Sequence, residues 1–458
     1  MTLVENARFT PHGLDHPAEQ LRPLRFLRTL IRNPLETWPQ ALFEERSLWL
    51  NFASRPLLFV MDPPLVEEVL VTRAESFPKA PIVQRAIGAA VGTKSIFTAE
   101  GADWRWQRRA SSPPFRHSTI LSFVPAMAKA AEDMVERLAA ARPGEPVDVA
   151  EAMMETTFEV IVATMLSGRG GFDVERFSAE ISHYFETVGW VAALTVLRLP
   201  MWLPYPGKLR ARAGNRFLKA EMARVVAERR AHPGAMPDLL DALIAAKDPE
   251  TGRAMSDAEL ADNLLTFVVA GHETTALALT WALWLVAHAP DVEQRLLEEI
   301  ADVAGDATIT ADHVDRLVFT KQVVQEAMRL FPPAPLIPRI AAEDIRLGEI
   351  EVKARTPVYV PVYAIHRHKL LWDAPGSFIP ERFAPERARG YGRGTYLPFG
   401  AGPRICIGAA FAQIEASVIL ATILRHVKLT AIAGHRPRPT VRLTLRPEGG
   451  MPMMARRR

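Results

Sequence analysis

Residues 399–408 read Phe-Gly-Ala-Gly-Pro-Arg-Ile-Cys-Ile-Gly and hold Cys406, the only cysteine of the chain. A lone cysteine forms no internal disulfide, which leaves it two roles: a buried small hydrophobe or a reactive thiolate. Its neighbours favour the thiolate. Gly400 and Gly402 permit a tight turn that brings N–H groups toward the sulfur, and such donors stabilise its charge and tune a metal bound to it. Arg404 sets a fixed cation two residues away, suited to a ligand carboxylate. Gly408 leaves room for something large and flat against the backbone. A helical run, Ala409 to Arg425, follows at once, and the positive end of its dipole also favours a thiolate.

The segment resembles the cysteine-ligand loop of the cytochrome P-450 family, Phe-x-x-Gly-x-Arg-x-Cys-x-Gly, with Phe399, Gly402, Arg404, Cys406 and Gly408 at every fixed position. A dinucleotide fingerprint is excluded, because it needs glycine where Ile405 stands and a preceding βαβ start. A covalent c-type haem site is excluded as well, because it needs two cysteines. The resemblance implies a mainly α fold with a small β region. A long central helix lies over a haem b group, and the cysteine loop, whose Cys406 ligates the iron, lies on the opposite face.

The central helix is legible without the resemblance. Ser256 and Glu259 form a capping box ahead of an apolar run that continues to about His288, where Pro290 stops it. That is about 48 Å of helix. Leu264 to Ala287 is apolar enough to raise a transmembrane reading, but His272, Glu273, Thr274 and Thr275 sit at its middle, where charge is costly in lipid. A helix buried through a large protein core is the better reading. His272-Glu273 does not open a zinc-protease motif, because position 276 is alanine. The stretch Ala270 to Thr275 matches the family's Ala-Gly-x-Glu-Thr-Thr instead. Small Ala270 and Gly271 let a flat macrocycle approach. The Thr274 hydroxyl is expected to bond back to a carbonyl and open the helical ladder locally. Glu273 and Thr274 together suit a proton relay for O–O cleavage.

Other site residues follow from the resemblance. Trp104 and Arg108, four apart on a helix begun at Asp103, match the family's Trp-x-x-x-Arg and are expected on a haem propionate. Arg339, after the apolar Pro335 to Pro338, is expected on a propionate, as is His366. Glu326 and Arg329, with Arg382, match a buried Glu–Arg–Arg network that locks the cysteine loop and is structural. Phe267, Val268, Ala270, Leu336 and Ile337 suggest an apolar pocket, with Leu443-Thr444 as its last contact segment. Phe185 to Trp202 corresponds to a lid. Arg105 and Arg109, about 100° around the helix from Trp104 and Arg108, are expected to meet an acidic electron donor.

Length alone, 458 residues, suggests about three domains; the resemblance implies one unit over 1–458. Its β-rich part lies at about 40–75 and 335–365, and its helical body at about 100–332 and 405–430. Strands are expected at Leu48–Asn51, Leu57–Val60, Leu347–Val352 and Pro357–Val362, a helix at Pro63–Val71, and a long loop, with room for a short helix, over Pro78–Phe97. Helix breaks are expected at Pro143-Gly144, Gly168–Gly171 and Pro200–Gly207.

The apolar share of 48% with 23% charged residues describes a soluble globular chain. A net charge of +3, a pI near 9.0 and no basic stripe with interleaved aromatics exclude a nucleic-acid binder. Met1 to Gln20 is polar and lacks the apolar core of a signal or anchor. Leu21 to Trp38 mixes Arg22, Arg25, Arg28 and Arg32 with Leu24, Leu27 and Ile31. It reads either as a surface helix packed on the body or as a weak membrane-surface helix.

The sum is a cytoplasmic, monomeric, bacterial-type haem-thiolate monooxygenase. It takes a small apolar organic substrate, dioxygen, and electrons from a separate ferredoxin or flavodoxin with its reductase. The alternatives are a haem-thiolate peroxygenase or isomerase needing no reductase, and a non-catalytic haem sensor.

Overall fold

In the computed structural model, which describes residues 9–52, 55–88, 91–142, 144–166, 173–232 and 238–458, the long helix of the sequence reading runs from Asp257 to Ala287. Ser256 caps it, accepting from the Glu259 N–H, while Glu259 returns a bond to the Ser256 N–H at 2.9 Å. The helices that build the site are α1 (Pro23–Arg32), α2 (Gly101–Ser111), α3 (Val149–Met165), α4 (Val174–Glu186), α5 (Val188–Val196), α6 (Lys208–Ala231), α7 (the central Asp257–Ala287), α8 (Val318–Leu330) and α9 (Ala409–His426).

Helix α7 is buried on nearly every side from Asn263 to Val286, as a helix apolar all round must be. It packs against α3, α6, α8 and α9. Trp281 stacks on Phe331 with ring centroids 3.8 Å apart, locking α7 to the end of α8. No helix among the described residues is long and apolar enough to cross a membrane.

Two distant parts of the chain meet in a four-stranded sheet. Strands β1 (Ser47–Phe52), β2 (Arg55–Val60), β3 (Ile337–Ile340) and β4 (Pro357–Val360) lie in the order β1-β2-β4-β3. The β1/β2 and β3/β4 pairs are antiparallel, and β2 runs parallel to β4 with Leu58 opposite Val358. Buried residues on these strands, Leu58, Val60, Val358 and Val360, join the main core.

Several local expectations change. Arg55 and Pro56 sit inside β2 rather than at its turn; the turn itself lies outside the described residues. Leu347–Val352 is a tight hairpin, Ile345–Leu347 against Ile350–Val352, because Gly348 adopts φ +56° and reverses the chain. The loop 78–97 carries two short helical turns, Pro81–Val83 and Gln84–Gly88. The break expected at Gly168–Gly171, like Pro143, lies outside the described residues.

Candidate active site

The cysteine loop is a built turn. The Cys406 N–H donates to the Phe399 carbonyl at 2.9 Å, Gly400 N–H to Leu397 at 3.1 Å and Ile405 N–H to Gly402 at 3.1 Å. Gly402 has φ +71°, and a Cβ there would lie 2.0 Å from the Leu70 carbonyl oxygen. Only glycine permits this seating of the loop on residues 68–72.

The Cys406 sulfur has open surface, yet it lies deep among protein atoms. Depth governs its electrostatics, so burial pushes its pKa up, against the Gly408 N–H and the Arg108 guanidinium, which pull it down. The thiolate that the loop sequence led us to expect is therefore not favoured by the protein alone. Binding a cation at the sulfur releases the proton.

The middle of α7 presents the complementary opening. Ala270 is exposed, and Gly271 and Thr274 are partly so, within an otherwise buried run. The Thr274 hydroxyl donates to the Ala270 carbonyl at 2.7 Å, but α7 stays helical throughout, so the expected local opening is not seen. Gly271 does different work from that expected. A Cβ there would sit 2.7 Å from Ile161 Cδ1, so its smallness lets α3 pack on α7. Val268 is wholly buried, and Phe267 is buried with its ring 5.6 Å from that of Phe115 at a 54° tilt, so both belong to the core. Leu336, Ile337 and Leu443 keep open surface, and Ile337 lies against Gly400 of the cysteine loop.

Glu273 is buried and turned toward the C-terminal strands, accepting from the Thr444 hydroxyl at 2.8 Å and from Arg446. Burial raises its pKa, while Arg446 and the two hydrogen bonds oppose the rise. His272, beside it, has no hydrogen-bond partner on either ring nitrogen among the described residues. Burial and Arg446 lower its pKa to about 4.

A cationic cluster forms beside the loop. Lys79, Arg339 and Arg404 surround one carboxylate, Glu100, which is bonded to Arg404. Trp104 covers Arg404, its ring centroid 4.5 Å from the guanidinium carbon. Burial and mutual repulsion lower Lys79 to about 7 and Arg339 to about 10, with Glu100 opposing. Arg108 is half-buried and feels the Cys406 sulfur.

A cytochrome P450 family model matches residues 41–452. The chain belongs to the cytochrome P450 family. It is 35% identical to the cyclooctatin synthase of Streptomyces melanosporofaciens, over 91% of both chains. To the cyclooctat-9-en-7-ol 5-monooxygenase of the same organism it is 32% identical, over 81% of this chain and 80% of the relative. A crystal structure of the cytochrome P450DA heme domain superposes with a TM-score of 0.80 and 26% identity, over 90% of each chain. The protein is thus a P450 monooxygenase, an oxidoreductase whose haem is ligated by a cysteine thiolate, and Cys406 is the one cysteine available.

The residues present fit that P450 cofactor. Three half-buried cations sharing one carboxylate are unfavourable in protein alone, and a ligand with two carboxylates offsets them. The opening at Ala270 supplies a small-residue wall for a flat ring, and the open Cys406 sulfur supplies a soft ligand.

Two expectations are corrected. His366 is fully buried; its Nδ1–H donates to the Arg329 carbonyl at 3.2 Å and its Nε2 accepts from the Leu397 N–H at 2.8 Å. Both nitrogens are used, and the ring is held neutral with a pKa of about 3 by burial and by Arg329 and Arg367. His366 therefore cannot grip a propionate and instead ties α8 to the segment entering the cysteine loop. Arg109 is not a free docking cation, because Asp248 and Glu250 both pair with it at 2.9 Å; Arg105 pairs with Glu75 at 3.1 Å. Lys79 was missed. It lies between two prolines with no motif, and only a backbone bridge to Arg339 brings it to the site.

Proposed function

We propose that this P450 inserts one oxygen atom into an apolar, ring-containing organic substrate, drawing electrons from a separate ferredoxin or flavodoxin as a monomeric, cytoplasmic enzyme folded as one catalytic unit. The observation that carries the reading is an open Cys406 sulfur together with an acid and an alcohol, Glu273-Thr274, at the open stretch in the otherwise buried middle of α7. The named substrate of the Streptomyces monooxygenase, cyclooctat-9-en-7-ol, is a hydrocarbon ring alcohol, and the open surfaces of Leu336, Ile337 and Leu443 suit such a molecule.

When bound, thiolate-ligated haem supplies reductive activation of dioxygen, delivering one atom to substrate and one to water. The chain's own residues do the rest. Cys406 would be the residue that holds the haem iron, with the Gly408 N–H supporting its charge. Lys79, Arg339 and Arg404 would hold the haem carboxylates, and Trp104 keeps Arg404 oriented. Arg108 adds positive charge beside the sulfur. The Thr274 Oγ1, its proton committed to the Ala270 carbonyl, keeps lone pairs to accept a proton and pass its own onward. Glu273 Oε is the store that reloads it. Reaching Thr274 requires Glu273 to turn from Arg446 or to act through a water. Glu326, Arg329, His366 and Arg382 fix the loop and touch no reacting atom.

The test is spectral and kinetic. Reduced, haem-loaded protein with carbon monoxide is expected to show the strongly red-shifted Soret band of thiolate ligation, lost in Cys406→Ala. Turnover is expected with NAD(P)H and redox proteins. Product formed only with peroxide identifies a peroxygenase, and a histidine-type spectrum ends the reading.

A further inference from the structure

Two buried groups beside Glu273 lack hydrogen-bond partners among the described residues. His272, the preceding residue of α7, is 3% exposed, and neither of its ring nitrogens is bonded. The Arg446 Nε is buried and unbonded as well, while its Nη2 donates to Glu273. Each buried polar atom left without a partner carries a desolvation penalty. Here the two are complementary: an N–H that can donate, and a neutral imidazole that always keeps one bare nitrogen to accept.

The surroundings of His272 offer no other partner. The Thr157 hydroxyl of α3 is spent on the His272 carbonyl, at 2.8 Å, which pins the backbone. Phe158 of α3 meets the imidazole edge-on, with ring centroids 5.2 Å apart at 89°. Ile161 fills the space beside Gly271. These contacts from α3 are uncharged. The charged groups beside the ring are Glu273 on its own helix and Arg446 from the C-terminal hairpin, and Arg446 joins burial in keeping the imidazole neutral.

Arg446 has a fixed backbone and room at its side chain. It sits on the strand Leu445–Pro447, which pairs with Pro439–Val441. The Leu445 N–H donates to the Pro333 carbonyl at 2.9 Å, and the Leu445 carbonyl accepts from Trp281 Nε1 of α7 at 3.5 Å. These bonds hold the hairpin against α7. The Arg446 side chain beyond them keeps 25% of its surface open, and the Phe185 ring of α4 stands 6.0 Å from its guanidinium carbon.

We infer that His272 is a positioning residue whose bare ring nitrogen is a second seat for the Arg446 guanidinium, so that Arg446 passes between Glu273 and His272 during turnover. The inference rests on the proposed Glu273-Thr274 relay and adds what releases its acid. With Arg446 on Glu273, the carboxylate is held toward the hairpin by Arg446 and the Thr444 hydroxyl. With Arg446 on His272, Glu273 keeps the Thr444 bond alone. Burial then acts on the carboxylate without a bonded cation to oppose it. Glu273 takes up one proton from solvent along the open side of Arg446 and, as a neutral acid, turns to Thr274. One N–H···O bond is exchanged for one N–H···N bond, and the single covalent change is the O–H formed on Glu273. The seat needs a neutral ring, because a protonated imidazole has no acceptor.

The seat is tested first without turnover, in the haem-loaded ferrous carbon monoxide form. With histidine labelled by nitrogen-15, the His272 resonance, assigned by its loss in His272→Gln, is expected to shift in Arg446→Leu, which removes the donor. Infrared difference spectra are expected to show a protonated carboxyl band that is lost in Glu273→Gln. That band is expected to weaken in His272→Leu and to survive in His272→Gln, whose amide oxygen accepts a hydrogen bond. In turnover, His272→Leu is expected to lower product per NAD(P)H up to about 10-fold, the equivalent of one lost hydrogen bond, and to move the acid limb of the pH–rate profile downward. His272→Gln is expected to restore both. An unchanged carbon monoxide band in each variant shows that the fold stands. A His272 resonance indifferent to Arg446→Leu overturns the inference, as does wild-type coupling in His272→Leu. Equal losses in the Leu and Gln variants with an unmoved acid limb assign His272 to packing and also overturn it. A wild-type protein without the red-shifted carbon monoxide band fails earlier and ends the reading beneath the inference, so the two failures are told apart.

Discussion

Two buried polar regions of this P450 are built in opposite ways. Around Arg329 every donor is used. Its guanidinium gives two bonds to Glu326, at 2.7 and 2.8 Å, and three to the carbonyls of His366, Pro375 and Ser377. Glu326 also accepts from the Ile379 N–H at 2.9 Å and from Arg382 at 3.3 Å. At the middle of α7, the facing α9 and the strand Leu445–Pro447, by contrast, His272 has no hydrogen-bond partner on either nitrogen, Glu415 on either oxygen and Arg446 on its Nε among the described residues. A saturated network in a low-dielectric interior fixes one geometry, whereas an unsaturated one leaves groups free to exchange partners or protons. The first region therefore suits a scaffold for the Cys406 loop, and the second suits proton traffic.

The largest effect is expected where saturation is broken. Arg329→Leu leaves the fully buried Glu326 carboxylate with only Arg382 as cationic partner, at a cost of about 3–5 kcal/mol. Urea unfolding of the haem-loaded protein measures it. A loss below about 1 kcal/mol would place that network among dispensable ion pairs and erase the contrast.

Glu415 gives the opposite sign. Burial lifts its pKa from 4.5 to about 8, with the neighbouring Thr275 hydroxyl opposing weakly. A folded-state value above the unfolded one means that stability is full below about pH 4.5 and is lost as pH rises toward 8. Glu415→Gln removes that loss, so the variant is expected to match wild type near pH 4.5 and to exceed it by roughly 3 kcal/mol at pH 7. A pH-independent gap means that Glu415 is satisfied in solution.

Thr274→Ala tests the same region by kinetics. Haem and substrate binding are expected to persist, while product per NAD(P)H falls by about 10²-fold, the low end for a positioned proton-transfer group, and peroxide appears instead. Unchanged coupling removes Thr274 from the mechanism.

This division was only half legible in the sequence. Cys406 and its glycines, the Ser256/Glu259 cap and the Glu326–Arg329 spacing are local patterns, and local patterns survive translation into three dimensions. The long-range partners carry no such signal. Nothing near Lys79 announces Arg339, and nothing near His366 says that Leu397 and Arg329 consume both its nitrogens. Arg109 illustrates the same limit, because its charge is cancelled by Asp248 and Glu250, about 140 residues downstream. Gly271 was read by its smallness, correctly as a need for space, but the space belongs to Ile161. Which neighbour a small or charged residue serves is decided by packing between distant elements.

The smallest expected effect separates the roles of Arg446. This residue touches Glu273 and also lies 6.0 Å from the Phe185 ring of α4, so it joins the acid to that helix. Its charge opposes the rise that burial imposes on Glu273. Arg446→Leu therefore raises the Glu273 pKa further. If the resting relay uses the ionised carboxylate, the acid limb of the pH–rate profile moves upward. Thr444→Val removes a hydrogen bond to the same carboxylate without removing a charge, and is expected to move the limb less. His272 does not blur the result, because it is already neutral well above its value of about 4. A purely structural Arg446 predicts a different outcome: lower stability in both variants and an acid limb that stays where it is. A limb that shifts equally in the two variants assigns the control to hydrogen bonding rather than charge, and the unsaturated region then works by position alone.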